Sequence, residues 1–332
     1  MILAGDIGGT KTILGLFEHG QDQLTCIARE TCPSGDYRSF AILLAEFLEQ
    51  HPATTLQAAC IGVAGPVLDG NCEATNLPWS LQETTIGKQL GTSRMRLLND
   101  LEAAAWGVLT LGEEQLVDLN PAADAVQPGN IGIIAAGTGL GEAVLYWDGR
   151  RYHALPTEGG HTDFGPNDAR ESALLAWLRR QYSGHVSYER LVSGTGLVNI
   201  YHFLLSTGEI PENPETARRM QAQDPAAVIG ETALSGNDAL CDEALRLFCR
   251  IYGAEAGNLA LNCLSYAGIY LVGGIAAKIL PCLQHGEFMA GFLDKGRYTA
   301  LLQKIPVRVC LDPEVALTGA ASFARTMILE DK

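Results

Sequence analysis

A chain of 332 residues, 47% apolar and 18% charged, is long enough for about two globular domains and too hydrophobic to stay disordered. Its 38 acidic against 23 basic side chains leave a net charge of −15. That field repels nucleic-acid backbones and anionic membrane surfaces, so an anionic ligand has to be drawn in locally by backbone N–H groups or a bound cation. Nine cysteines, none in a Cys-x-x-Cys pair, argue against a zinc knuckle or a disulfide framework and read as free thiols of a cytoplasmic protein. The opening Met1-Ile2-Leu3-Ala4-Gly5-Asp6 carries no basic region, so no secretory leader is expected.

In chain order, 1–17 reads as an apolar strand, a tight Gly-rich turn and a second apolar strand, closed by the turn-like Glu18-His19-Gly20. A strand over 24–30 follows, then a helix over 37–50 with Phe40, Leu43, Leu44, Phe47 and Leu48 on one side, stopped by Pro52. Short buried strands are predicted over 58–63 and 94–98, and a helix over 101–109. The stretch 120–130, with two prolines and small residues, reads as a loop. The segment 131–147 then repeats the opening pattern and ends in Asp148-Gly149, so two related α/β domains are expected. Helices follow over 170–182, 197–205 and 238–264, a strand over 268–272 running into Gly273-Gly274, and a last helix over 313–327 that begins with Pro-Glu. The run 256–277 carries no charge and is long enough to cross a bilayer, but its asparagines and glycines read as a buried helix and strand.

A turn such as Asp6-Ile7-Gly8-Gly9-Thr10-Lys11 lets backbone N–H groups converge on an anion, and an ordinary hairpin turn has the same look. Two such turns in equivalent places of a repeated unit point to a nucleotide phosphate clamp. There is no P-loop pattern. Gly137-x-Gly139-x-Gly141 is followed by Glu142 and a strand, which disfavours a Rossmann fingerprint.

These motifs resemble the sugar kinase, actin and heat-shock chaperone superfamily, and within it the bacterial glucokinase family. The resemblance is carried in order by Gly5–Thr10, 98–103 (Leu-Asn-Asp-Leu-Glu-Ala), 136–141 (Ala-Gly-Thr-Gly-Leu-Gly), 158–164 (Glu-Gly-Gly-His-Thr-Asp-Phe), 188–199, 271–275 and 294–297 (Asp-Lys-Gly-Arg). It implies a two-domain actin-like ATPase fold of the ribonuclease H-like kind, with an interdomain cleft. The small α/β domain would hold 1–112 plus about 313–332, and the large one 113–312. It implies a transferase that phosphorylates glucose at its 6-hydroxyl with ATP and magnesium, the entry step of glycolysis, in a cytoplasmic homodimer. The alternatives are a kinase for another hexose or N-acetylhexosamine, or a non-catalytic sugar-sensing regulator.

The residues support that chemistry one by one. Asp100, at a strand end, is ionised at neutral pH; the resemblance makes it the general base, while locally it serves as well as a helix cap. Asp6 reads as a turn former or as a carboxylate anchoring magnesium through water. Gly5, Asp6, Ile7, Gly8, Gly9, Thr10 and Lys11, with Gly137, Thr138 and Gly139, form the expected phosphate turns, although Lys11 reads equally as a solvated side chain. Gly273 and Gly274 are either a tight turn or, by resemblance, part of the adenosine pocket. Asn76, Asn99, Asp100, Glu158, His161 and Glu189 are the expected sugar partners, because carboxylates and amides suit a ring of hydroxyls. Gly159-Gly160 is expected to let its loop lie flat against a ligand.

Overall fold

The first hairpin forms as its pattern predicts: β1 (Ile2–Ile7) pairs antiparallel with β2 (Lys11–His19), and β2 with β3 (Leu24–Pro33). Alternate residues of β1 leave opposite faces of the sheet, as the period of two requires. Leu3 and Ile7 enter one core cluster, while Ile2 and Ala4 enter the other. The first face is covered by α1 (Phe40–Gln50) through Phe40, Leu43, Leu44 and Phe47. Two parallel strands, β4 (Ala58–Val63) and β7 (Met95–Asn99), complete the sheet in the order β3-β2-β1-β4-β7. Between them lie a ribbon of β5 (Asn71–Glu73) and β6 (Ser80–Gln82) and a helix, α2 (Glu83–Leu90). The second face is covered by α3 (Asp100–Val108) and the terminal helix Val315–Leu329, whose alanines 103, 320, 321 and 324 are buried there. These two helices meet backbone to backbone: a Cβ on Gly107 would strike the Val315 carbonyl, and one on Gly319 the Ala103 carbonyl.

The computed structural model describes residues 1–20, 24–52, 55–121, 123 and 128–329. They divide into two units, Met1–Gly112 with Asp312–Lys332, and Glu113–Leu311. Of the loop expected over 120–130, positions 122 and 124–127 lie outside the described residues, as do 330–332 of the expected small domain.

The second unit repeats the sheet. After a short β8 (Leu116–Asp118), β9 (Ile131–Ala136), β10 (Leu140–Trp147) and β11 (Tyr152–Thr157) form the antiparallel part. Parallel strands β12 (Gly268–Val272) and β13 (Val307–Cys310) extend it, giving the order β11-β10-β9-β12-β13-β8. Its core holds α4 (Ala169–Gln181), α5 (Gly194–Thr207), α6 (Pro214–Ala222), α7 (Pro225–Leu234) and the long α8 (Ala239–Cys263). The uncharged run is the end of α8 followed by β12, and among the described residues no helix is long and apolar enough to cross a membrane.

Three differences from the sequence reading have local causes. The helix expected from 37 begins at Phe40, because Ser34–Asp36 forms a separate 3-10 turn. The last helix begins at Val315; Pro313 and Glu314 form a turn before it, with the Glu314 N–H donating to Asp312 Oδ1 at 2.8 Å. Helices α6 and α7 were not anticipated, although Asn213-Pro214 and Asp224-Pro225 each supply a capping side chain followed by a proline, a legible helix start.

Candidate functional site

In the first unit, the strand register brings Ile7, Val63 and Asn99 side by side at the carboxyl ends of the parallel strands. Open α/β sheets bind ligands beyond that edge. The glycine turn leaves β1 there and Asp100 follows β7 there. Asn99 caps α3, its Oδ1 accepting from the Leu101 N–H at 2.9 Å, so Asp100 is the first residue of the helix. Asp100 Oδ1 also accepts from the Leu101 N–H at 2.9 Å. A carboxylate at that position is favoured by the helix dipole.

Asp6 leaves β1 on the same face as Ile2 and Ala4, the face that α3 covers. Burial, and then the negative charge of Asp100, push its carboxyl up to about 6, while Lys11 pulls the other way. A buried carboxyl raised by a neighbouring carboxylate is a place where a cation is welcome. No group of three or more His, Cys, Asp or Glu that could cage a metal occurs among the described residues. The Asp6 carboxyl beside the Asp100 charge would suit a magnesium ion that brings most of its own oxygen ligands and takes few from the protein.

The turn itself is fixed by the Gly8 N–H donating to the Lys11 carbonyl at 2.9 Å. Ser34 braces it from below, its hydroxyl donating to the Gly8 carbonyl at 2.8 Å and its N–H to the Thr10 carbonyl at 3.0 Å. Asn76 is exposed and lies against Gly9, where a Cβ would come within 2.8 Å of its own. Gly5 and Ile7 are buried strand residues; Thr10 and Lys11 are exposed.

In the second unit, Val272 pairs beside Ala135, so Gly273 emerges next to the Gly137–Gly139 turn. Gly273 takes φ 85°, which only glycine adopts easily, and packs against the Ala136 carbonyl. It is Gly274, with Gly137 and Thr138, that lines a cavity of about 930 Å³ whose lining also includes Asp224, Pro225 and Lys278. The cavity wall from α5 and α7 was not anticipated. The turn is held by the Gly137 N–H donating to the Gly139 carbonyl at 2.8 Å, and by the Gly194 N–H donating to the Gly137 carbonyl at 2.9 Å.

Glu189 reaches the same turn. Its Oε2 accepts from the Leu140 N–H at 3.1 Å and lies where a Cβ on Gly139 would go. His161 Nε2 stands 4.0 Å from that oxygen, and both His161 and Glu158 are exposed. Thus His161 and Glu189 meet beside Gly139, and Glu158 opens the turn that carries His161, its carbonyl accepting from the His161 N–H at 3.0 Å. The pair Gly159-Gly160 is needed for packing on the side where a Cβ would sit. Each faces the protein's own β10: the space at Gly159 is taken by the Glu142 carboxyl and that at Gly160 by the Leu140 carbonyl.

Two sheets of matching order, each opening on a glycine-turned hairpin and each continued by parallel strands, define the two-domain actin-like sugar-kinase fold. A family model for Glucokinase matches residues 3–327. A glucokinase of Nostoc sp. is 42% identical over 343 residues, covering 98% of each chain. A crystal structure of glucokinase from an Antarctic psychrotroph superposes with a TM-score of 0.87 at 28% identity, over 98% of each chain. One from Balamuthia mandrillaris, solved with glucose, gives a TM-score of 0.80 at 24% identity, over 98% of this chain and 93% of that one. The chain belongs to the Glucokinase family.

Proposed function

We propose that this chain phosphorylates glucose, transferring the γ-phosphoryl group of ATP to the 6-hydroxyl. Asp100 takes the hydroxyl proton as that oxygen bonds to the γ-phosphorus and the bridging oxygen leaves with ADP; such a base contributes about 10²–10⁴-fold. The observation that carries this is the start of α3: Asn99 caps the helix at the strand end, and Asp100 opens it at the carboxyl edge of the sheet with its charge felt by Asp6. Glu158, His161, Glu189, Asn99 and Asn76 hold the sugar hydroxyls. The adenosine takes the cavity at Gly274, and the phosphates take the backbone N–H groups of the two glycine turns with Thr10, Lys11 and Thr138. Magnesium would neutralise phosphate charge, and Asp6 is the residue that would hold it, through water. The same reading makes the protein a cytoplasmic homodimer.

The test is kcat/KM for glucose, mannose, galactose and N-acetylglucosamine with ATP and magnesium, following ADP release. A misplaced hydroxyl leaves a partner that the bound sugar covers unpaired at about 1–3 kcal/mol, so glucose should exceed mannose and galactose by about 5–150-fold. Equal values for glucose and mannose refute the ring of hydroxyl partners. A preference for N-acetylglucosamine moves the assignment to that sugar.

A further inference from the structure

Behind Glu158, His161 and Glu189 lies a set of buried polar groups for which the proposed reaction has no use. Glu142 on β10 and Glu255 on α8 are each only 4% exposed. Their carboxyl groups face one another and share a hydrogen bond. Glu255 Oε2 accepts from Asn258 Nδ2 at 2.8 Å, and the same Nδ2 donates to the Tyr188 hydroxyl at 3.0 Å. Asn258 Oδ1 accepts in turn from Lys295 Nζ at 2.7 Å. Lys295 belongs to the 294–297 motif, and Gly257 leaves room for its stem, since a Cβ there would come within 2.9 Å of Lys295 Cε.

Protonation makes the set neutral as a whole. Burial, and then the Glu255 charge, push the Glu142 carboxyl up to about 9, and burial raises Glu255 as well, so the pair holds a proton between them at neutral pH. Lys295 supplies the compensating positive charge, itself lowered by burial and raised by Glu255, Asp294 and Glu171. Tyr188, Tyr252 and Cys263 are the other titratable groups that face the pair.

Both ends of the set touch the sugar-side turns. The Glu142 carboxyl fills the space over Gly159, between Glu158 and His161, and the Thr157 hydroxyl ties that turn to β10 by accepting from the Gly159 N–H at 3.1 Å and donating to the Glu142 carbonyl at 3.1 Å. Tyr188 precedes Glu189, and its N–H donates to the Thr162 carbonyl at 3.1 Å, just past His161. We propose that Glu142, Glu255, Asn258 and Lys295 are positioning residues that hold Glu158, His161 and Glu189 in the arrangement that takes the sugar. The inference rests on the reading of those three residues as sugar partners. It also gives the 294–297 motif a purpose: Lys295 balances the one carboxylate charge the set must keep.

The experiment compares the full-length chain with Glu142→Ala, Glu142→Gln and Lys295→Met. Glucose affinity is measured by calorimetry without nucleotide, and KM is measured for glucose and for ATP separately. Glu142→Ala and Lys295→Met should weaken glucose binding by about 10-fold or more while KM for ATP moves by less than about 2-fold. Glu142→Gln, whose amide donates to Glu255 as the protonated acid does, should stay within about 3-fold of the unaltered chain. Lys295 is half-exposed and its replacement keeps the stem, so Lys295→Met decides alone if Glu142→Ala does not fold. Glucose affinity unchanged in Lys295→Met, a parallel rise in KM for ATP, or Glu142→Gln as damaging as Glu142→Ala overturns the inference. Absence of both glucose binding and turnover in the unaltered chain overturns the reading beneath it; normal binding there with indifferent variants overturns this inference alone.

Discussion

The two glycine turns sit on hairpins of the same topology and differ in almost everything that surrounds them. From the strand register, the first spans the four residues between Ile7 and Thr12, and the second the three between Ala136 and Leu140. The first is preceded by Asp6, stands on the same sheet edge as Asp100, and is braced by hydroxyl and backbone groups of Ser34. The second has Ala135 where the first has Asp6, opens on a cavity, and is braced by the Glu189 carboxylate and the Gly194 N–H. A repeated sheet therefore supplies two equivalent edges, and the few residues placed after each strand decide what chemistry that edge can do.

The sharpest way to break this contrast is to remove the acid from the first edge. Asp100→Asn keeps the shape at the start of α3 but loses the basic lone pair, and kcat should fall by about 10²-fold or more with glucose still bound. The matching change at the second turn, Glu189→Gln, should act on KM for glucose more than on kcat. Steady-state kinetics of the two variants side by side would contradict the division if both lost kcat equally.

The next effect is on stability and belongs to the first unit alone. Gly319→Ala would drive a methyl group into the Ala103 carbonyl, where α3 and the terminal helix touch. Overpacking of that kind costs about 1–3 kcal/mol, read as a lower urea midpoint. Because α3 carries Asp100, a full-strength kcat in a destabilised variant would show that the clamp sets stability and not the placement of the base.

A smaller effect separates two glycines of one turn. Gly139→Ala displaces the Glu189 carboxylate, whereas Gly137→Ala meets nothing within 4 Å. The first should raise KM for glucose by about 10-fold, from the loss of one well-placed hydrogen bond at about 1–1.5 kcal/mol. The second should leave KM for glucose alone and raise KM for ATP, because its methyl group would enter the open space that the proposed reading gives to phosphate. The reverse pattern would exchange the roles of the two positions.

The smallest predicted effect concerns Glu102 on α3, whose carboxyl is pushed by burial up to about 7 from an ordinary value of 4.5, against the pull of the Asn99 N–H. The folded chain holds this proton more tightly than the unfolded chain. Its contribution is fully present below about pH 4.5 and is lost as the pH rises through about 7. Glu102→Gln keeps an acceptor for the Asn99 N–H and cannot titrate. Relative to the unaltered chain it should gain of order 1 kcal/mol between pH 5 and pH 8, the buried shift being discounted for partial solvent access. Thermal melts at the two pH values check the sign.

Much of the fold was legible along the chain because strand and helix periods are local. The paired hairpins, the strands at 58–63 and 268–272, and the long helix ending near Cys263 all follow from apolar spacing and turn residues. The helices at Pro214–Ala222 and Pro225–Leu234 carried readable caps that the hydrophobic pattern alone did not reveal, since few of their residues are large and apolar. The start of the last helix was misplaced because Pro-Glu suits a turn as well as a first helical turn.

What the sequence by itself determined is the inventory: two glycine turns, an Asn-Asp pair at a strand end, and a spaced set of Glu, His and Glu. Each of these is a chemical type at a position, and type is a property of the residue. Tertiary structure alone decided which of them meet. Strand register put Asp6 on the face of the sheet that α3 covers, within reach of the Asp100 charge; hairpin pairing put Glu142 against Gly159; and the packing of α8 brought Asn258 to Lys295. No local pattern contains those encounters, because a buried carboxyl or ammonium is tolerated only where distant parts of the chain supply its partner. For the same reason Glu142, Glu255 and Lys295 look like ordinary surface charges in the sequence and become a single neutral set only once the unit is folded.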